Sequence, residues 1–93
     1  MPKSKNYPNQ LEVRYALALL HRYIPLNDQV SLSPRYSDNG IPNYRLQATT
    51  GGKDWVVDIY AGSFFCVFTP KFPPMTFTDL MQMISFLHRI VNS

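Results

Sequence analysis

Ninety-three residues make one domain, and a chain of this length buries roughly 60 to 65% of the surface it exposes when unfolded, so it folds with little margin. Hydrophobic residues are 45% and charged residues 16% of the chain, the latter below the roughly 25% of an average globular protein, so some apolar surface is expected to remain for a partner. The net charge of +3 is uneven: residues 1 to 53 hold seven Lys/Arg and three acids, residues 54 to 93 two and three. That bias suits an acidic partner, although a basic surface also serves solubility.

Cys66 is the only cysteine, so no internal disulfide can form. The opening MPKSKNYPNQ has charges without a following apolar core, unlike a secretory signal. No apolar run approaches the roughly 20 residues that span a bilayer. The expectation is an intracellular, cytoplasmic protein with no membrane association.

Residues 1 to 7 read as a flexible basic tail and 8 to 93 as a single α+β domain. Pro8 sits where a helix would begin, with Asn6 as a nearby cap. Leu11, Tyr15, Ala16, Leu19, Leu20 and Tyr23 recur at helical spacing, and the helix ends at Ile24 before Pro25.

Val30, Leu32 and Tyr36 alternate with polar residues, and Pro34 among them marks an edge strand. An Asn39-Gly40 turn follows. Tyr44, Leu46 and Ala48 alternate with Arg45, Gln47 and Thr49, and Gly51-Gly52 forms a two-residue hairpin loop into Asp54 to Tyr60. This places Ala48 opposite Trp55, Leu46 opposite Val57 and Tyr44 opposite Ile59. Thr49 to Lys53 lacks the spacing of a phosphate-binding loop and precedes no helix.

A second hairpin at Ala61-Gly62 sets Ile59 against Phe64, Val57 against Cys66 and Trp55 against Phe68. On that register Phe64, Cys66 and Phe68 join the core face, and strand four ends the sheet. Pro70 to Pro74, with three prolines, reads as irregular. Thr76 and Asp79 then open a helix over about 77 to 91, with Phe77, Leu80, Met81, Ile84, Leu87 and Val91 as its apolar stripe. The expected architecture is a two-layer α+β sandwich, a four-stranded antiparallel meander with both helices on one face.

The uncovered face should then carry Arg45 opposite Asp58 together with Val56, Tyr60, Phe65 and Val67, more apolar than a solvated face requires. Phe72 of the proline-rich loop, Tyr7 of the tail or another molecule could cover it. His21 and His88 have no cysteine or carboxylate at metal-ligand spacing, and Cys66 reads as a buried, inert thiol. No catalytic residue, metal or cofactor is expected.

The reading that follows is a non-enzymatic module that binds a protein partner or a second copy of itself through the uncovered face and strand four. Arg45, Val56, Tyr60, Phe65 and Val67 are its contact residues. The alternative is an RNA- or DNA-binding domain using Lys3, Lys5, Arg14, Arg35, Arg45 and Lys53. Helix, antiparallel strands, helix is also the order of double-stranded RNA-binding domains. The likeness stops at element order, because Thr76, Thr78 and Asp79 stand where such a domain presents clustered lysines.

Overall fold

The computed structural model describes residues 7 to 26 and 30 to 92. The expected tail and the Asn6 cap, as far as residue 6, lie outside the described residues.

Helix α1 spans Gln10–Tyr23. Asn9 caps it, accepting from the Leu11 N–H at 2.7 Å, and Glu12 Oε2 accepts from the Asn9 N–H at 3.2 Å. This capping box starts the helix two residues after Pro8. Val13, Ala16 and Leu20 bury against the sheet, with Ile24 just beyond the helix. The buried stripe is thus rotated from the expected one, and Leu11 and Tyr15 face solvent.

Five strands follow, β1 (Ser31–Tyr36), β2 (Pro42–Thr50), β3 (Lys53–Tyr60), β4 (Phe64–Thr69) and β5 (Phe72–Phe77), in spatial order β1-β2-β3-β4-β5 and all antiparallel. Pro34 lies on the β1 edge as anticipated. Gly51 and Gly52 have φ of 58° and 78°, the left-handed pair that a two-residue loop matched to strand twist requires. Trp55, Val57 and Ile59 consequently face Ala48, Leu46 and Tyr44.

The fifth strand corrects the four-strand expectation. Three prolines in 70 to 74 would break a central strand, but β5 is an edge, where a missing N–H costs no ladder bond. Pro73 and Pro74 also fall where the ladder shifts, between the Thr69–Phe72 and Val67–Met75 pairs. Strand β4 is therefore interior and offers no free edge.

The second correction concerns faces. The β3–β4 loop contains three residues, Ala61 to Ser63, with Tyr60 opposite Phe64. Gly62 and Ser63 both adopt positive φ, 82° and 59°. Relative to a two-residue loop the pairing moves by one residue, and such a slip turns every side chain of a strand over. Val57 meets Val67, and Ile59 meets Phe65. Phe65 and Val67, expected on the outer face, are core residues at 4% and 0% exposure, whereas Phe64, Cys66 and Phe68 point outward.

Helix α2 spans Leu80–Val91, capped by Asp79, whose carboxylate accepts from the Met81 and Gln82 N–H groups at 2.8 and 3.1 Å. Asp79 is thus the cap itself, and Thr76 belongs to β5. Met83, Ile84, Leu87 and Val91 bury against the sheet. Both helices pack on one sheet face around Trp55, whose indole N–H donates to Thr50 Oγ1 at 3.1 Å while that hydroxyl donates to the Pro25 carbonyl at 2.8 Å. The buried indole thus keeps a partner. No described helix is long and apolar enough to cross a membrane.

The register makes opposite demands on two adjacent phenylalanines. Phe65→Ala should lower unfolding free energy by about 3 to 5 kcal/mol, the range for emptying a buried aromatic site. Phe64→Ala, outside the core, should lower it by less than about 1.5 kcal/mol. Urea unfolding of the two variants measures both, and a larger loss at Phe64 would contradict the register.

Candidate functional site

The sheet face away from the helices is built by alternation: Ser33 and Arg35 on β1, Arg45 and Gln47 on β2, Val56, Asp58 and Tyr60 on β3, and Phe64, Cys66 and Phe68 on β4. Its centre is a carboxylate. Asp58 is only 3% exposed, although no helix lies over it, because its neighbours close around it. Arg45 Nε donates to Asp58 Oδ1 at 2.7 Å and Arg45 Nη2 to Oδ2 at 2.9 Å. This two-point fork suits the planar guanidinium. Arg35 Nη1 approaches the same carboxylate at 3.6 Å while its Nη2 donates to the Tyr36 carbonyl at 3.0 Å. The Arg45 guanidinium in turn lies over the Phe68 ring, 5.3 Å from its centroid.

The aromatic rim completes the surface. Tyr60 and Phe64 meet edge to face at 5.6 Å, and Phe64 is 39% exposed. On the β4 side the neighbours differ from the expected register: Cys66, not Phe65, stands opposite Asp58, and Phe68, not Val67, opposite Val56. The Arg45–Asp58 contact was legible in the sequence, but its carboxylate is buried while the Arg45 side chain keeps 28% of its surface exposed.

Titration on this face is shifted in one direction. Burial, with the Asp58 carboxylate beside it, pushes the Cys66 thiol up, and the nearby Arg45 charge only partly opposes this. Burial likewise raises Tyr60, with Asp58 adding to it. The hydrogen bond from Arg45 to Asp58 raises the Arg45 pKa against the opposing effect of burial. Cys66 is thus on the outer face and not in the core, and its environment favours the thiol over the nucleophilic thiolate.

The two segments expected to cover the face lie elsewhere. Phe72 packs edge to face on Phe86 of α2 at 5.8 Å. Tyr7 packs on Tyr36 and Tyr44 at 5.8 and 5.3 Å, on the side of the sheet that carries the helices. Among the described residues no group of three or more His, Cys, Asp and Glu is arranged to hold a metal. Both histidines are exposed on the helices, on the other side of the sheet from Cys66.

The cations of the nucleic-acid alternative are dispersed. Arg35 and Arg45 share the outer face, Arg14 is exposed on α1, and Lys53 sits beside the β2–β3 turn with Nζ donating to the Ile90 carbonyl at 3.3 Å. Lys3 and Lys5 lie outside the described residues. Comparison with protein-family models, with curated proteins and with solved structures finds no match to this chain.

One substitution tests the electrostatics of the face. Asp58→Asn should cost about 3 kcal/mol of stability in urea unfolding, because Arg45 is left without its charged partner. It should also move the onset of Cys66 alkylation to lower pH, since burial, the main cause of the raised thiol, remains but the Asp58 charge that adds to it is gone while Arg45 stays. In the native protein the raised thiol contributes stability that is complete below the ordinary thiol pKa and is lost as pH rises through the folded-state value. An unmoved alkylation profile in Asp58→Asn would contradict the pairing of Cys66 with Asp58.

Proposed function

We propose that this chain is a non-enzymatic interaction module whose outer sheet face docks a protein partner or a second copy of itself. The observation that carries the reading is an aromatic sheet face that neither helix, nor Phe72, nor Tyr7 covers. Tyr60, Phe64 and Phe68 supply rigid rings, Val56 supplies aliphatic area, and the Arg45–Asp58 fork sits among them already paired. Aromatic residues and arginine are the side chains on which interfaces concentrate their binding energy. A desolvated, paired charge at the centre of such a face penalises partners that disrupt it more than it rewards any one of them.

The corrected register changes the contact set of the proposal. Arg45, Val56 and Tyr60 stay, Phe64, Cys66 and Phe68 enter, and Phe65 and Val67 withdraw into the core. Strand β4 contributes side chains and not an open backbone edge. Catalysis finds little support here: the thiol is biased towards its protonated form, the nearest carboxylate is engaged by arginine, and the histidines lie on the helices. We extend the proposal to an intracellular, cytoplasmic setting on the strength of the single cysteine.

Nucleic-acid binding is the second reading, favoured by Arg35 and Arg45 lying beside Tyr60 and Phe64 on one face, since single strands combine base stacking with backbone cations. It ranks lower because both arginines converge on Asp58.

Sedimentation velocity over a range of concentrations, with a benzophenone residue at position 64 for photocrosslinking, tests the proposal. Protein adducts or concentration-dependent association, both lost in Val56→Glu while circular dichroism is unchanged, are the expected result. Adducts to single-stranded oligonucleotides alone, with affinity falling steeply with salt as phosphate counterions are released, would replace it with the second reading. A monomer that crosslinks to nothing at position 64 would end both.

A further inference from the structure

An open sheet keeps two edge strands, and here they are β1 and β5. An edge presents unpaired N–H and C=O groups that a further strand can take up. In β5, Pro73 and Pro74 coincide with the shift in the ladder between the Thr69–Phe72 and Val67–Met75 pairs, and both features interrupt pairing. Strand β1 has no such shift. Its ladder with β2 runs unbroken from Ser31–Gln47 to Tyr36–Pro42.

The turn after β1 fixes which of its backbone groups face outward. The Ser37 N–H donates to the Ile41 carbonyl at 3.0 Å, and bonded and non-bonded pairs alternate along an antiparallel ladder. The neighbouring Tyr36–Pro42 pair is therefore non-bonded, as the missing N–H of Pro42 requires. Continuing the alternation, Arg35, Ser33 and Ser31 aim their backbone groups at β2, and Tyr36, Pro34 and Leu32 aim theirs at the open edge.

Two positions on that edge are out of use. Pro34 offers a carbonyl and no donor, and the Tyr36 carbonyl accepts from Arg35 Nη2 at 3.0 Å. Charge, another common guard of an edge, is scarce. Arg35 is the one charged residue of β1, and its guanidinium is drawn onto the outer face, 3.6 Å from Asp58. The side chains beside Pro34 are apolar and accessible, Leu32 at 40% and Tyr36 at 60% exposure.

These positions match one partner, β1 of a second copy. In antiparallel self-pairing centred on Pro34, Leu32 of each copy meets Tyr36 of the other, and the exposed apolar side chains cover one another. Pro34 then meets Pro34 on the two-fold axis, where an ordinary residue would exchange hydrogen bonds with its counterpart and proline exchanges none. The Tyr36 carbonyls that the Leu32 N–H groups would reach are occupied by Arg35. We infer that the β1 edge is a self-pairing surface held closed by Pro34 and the Arg35–Tyr36 hydrogen bond, so that the sheet does not extend from copy to copy. The inference is independent of the outer face, which docks through side chains and needs no open edge.

Sedimentation velocity with amide hydrogen exchange tests it, in a Val56→Glu background that removes association through the outer face. The chain with Pro34 should remain monomeric, with the Leu32 and Tyr36 amides exchanging fast and those of Ser33 and Arg35 slowly. Pro34→Thr restores the donor without a large apolar side chain; it should dimerise as concentration rises and slow Leu32 exchange by about tenfold or more. Adding Arg35→Ala frees the Tyr36 carbonyl and should tighten that dimer by about a further tenfold. Slow Leu32 exchange in the chain with Pro34 would overturn the inference, since the edge would then face the other way or be paired already. A folded Pro34→Thr chain that stays monomeric, or that dimerises while Leu32 exchange stays fast, would overturn it as well. Loss of folding in Pro34→Thr, read by circular dichroism, would also contradict it, because a donor aimed into solvent leaves the monomer intact.

Discussion

The three-residue turn at Ala61 to Ser63 is the constraint on which the arrangement of this molecule depends. Strand β4 reads Phe-Phe-Cys-Val-Phe, apolar on both sides, so either face could have been buried without exposing charge. With Gly62 and Ser63 at positive φ, the turn brings Phe64 opposite Tyr60 and sends Phe65 and Val67 inward. Glu12 accepts from the Ser63 N–H, which ties this turn to the start of α1. The same choice carries into β5, where Met75 and Phe77 face the core because they pair with Val67 and Phe65.

The composition of the outer face is a consequence of that choice. Phe68 turned outward comes to lie under the Arg45 guanidinium, and Cys66 turned outward comes to stand beside Asp58. Burying an ion pair adds little net stability, because desolvation offsets most of the attraction, but breaking it is expensive. The Arg45–Asp58 fork therefore acts chiefly against alternatives: a slipped register or a displaced Arg45 strands a charge. The helix layer has its own division of labour, with one stripe of α1 spent on the core and the other, with Leu11 and Tyr15, left exposed.

How much of this the sequence disclosed varied with how strongly local chemistry limits the choices. The β2–β3 hairpin was readable to the residue, because Gly51-Gly52 allows one tight loop and the strands alternate in polarity. Arg45 and Asp58 followed from it. The β3–β4 hairpin was readable as a hairpin but not as a register, since a strand apolar on both sides carries no information about which side is buried. Phe65 and Val67 were misplaced for that reason.

Strand β5 was hidden because its prolines forbid a central strand, and edge status is a property of the assembled sheet. In α1, two stripes of comparable hydrophobicity competed, and only packing on the sheet decides for Val13 over Leu11 and Tyr15. Asp79 was placed in the first turn of α2 and serves instead as its cap, a displacement too small for apolar periodicity to resolve.

The most direct measurement is the register itself, read from cross-strand nuclear Overhauser effects between the backbone protons of β3 and β4. The account predicts contacts that place Val57 opposite Val67 and Ile59 opposite Phe65, with Asp58 opposite Cys66. Contacts placing Val57 opposite Cys66 and Ile59 opposite Phe64 would contradict it, and would return Phe65 and Val67 to the outer face.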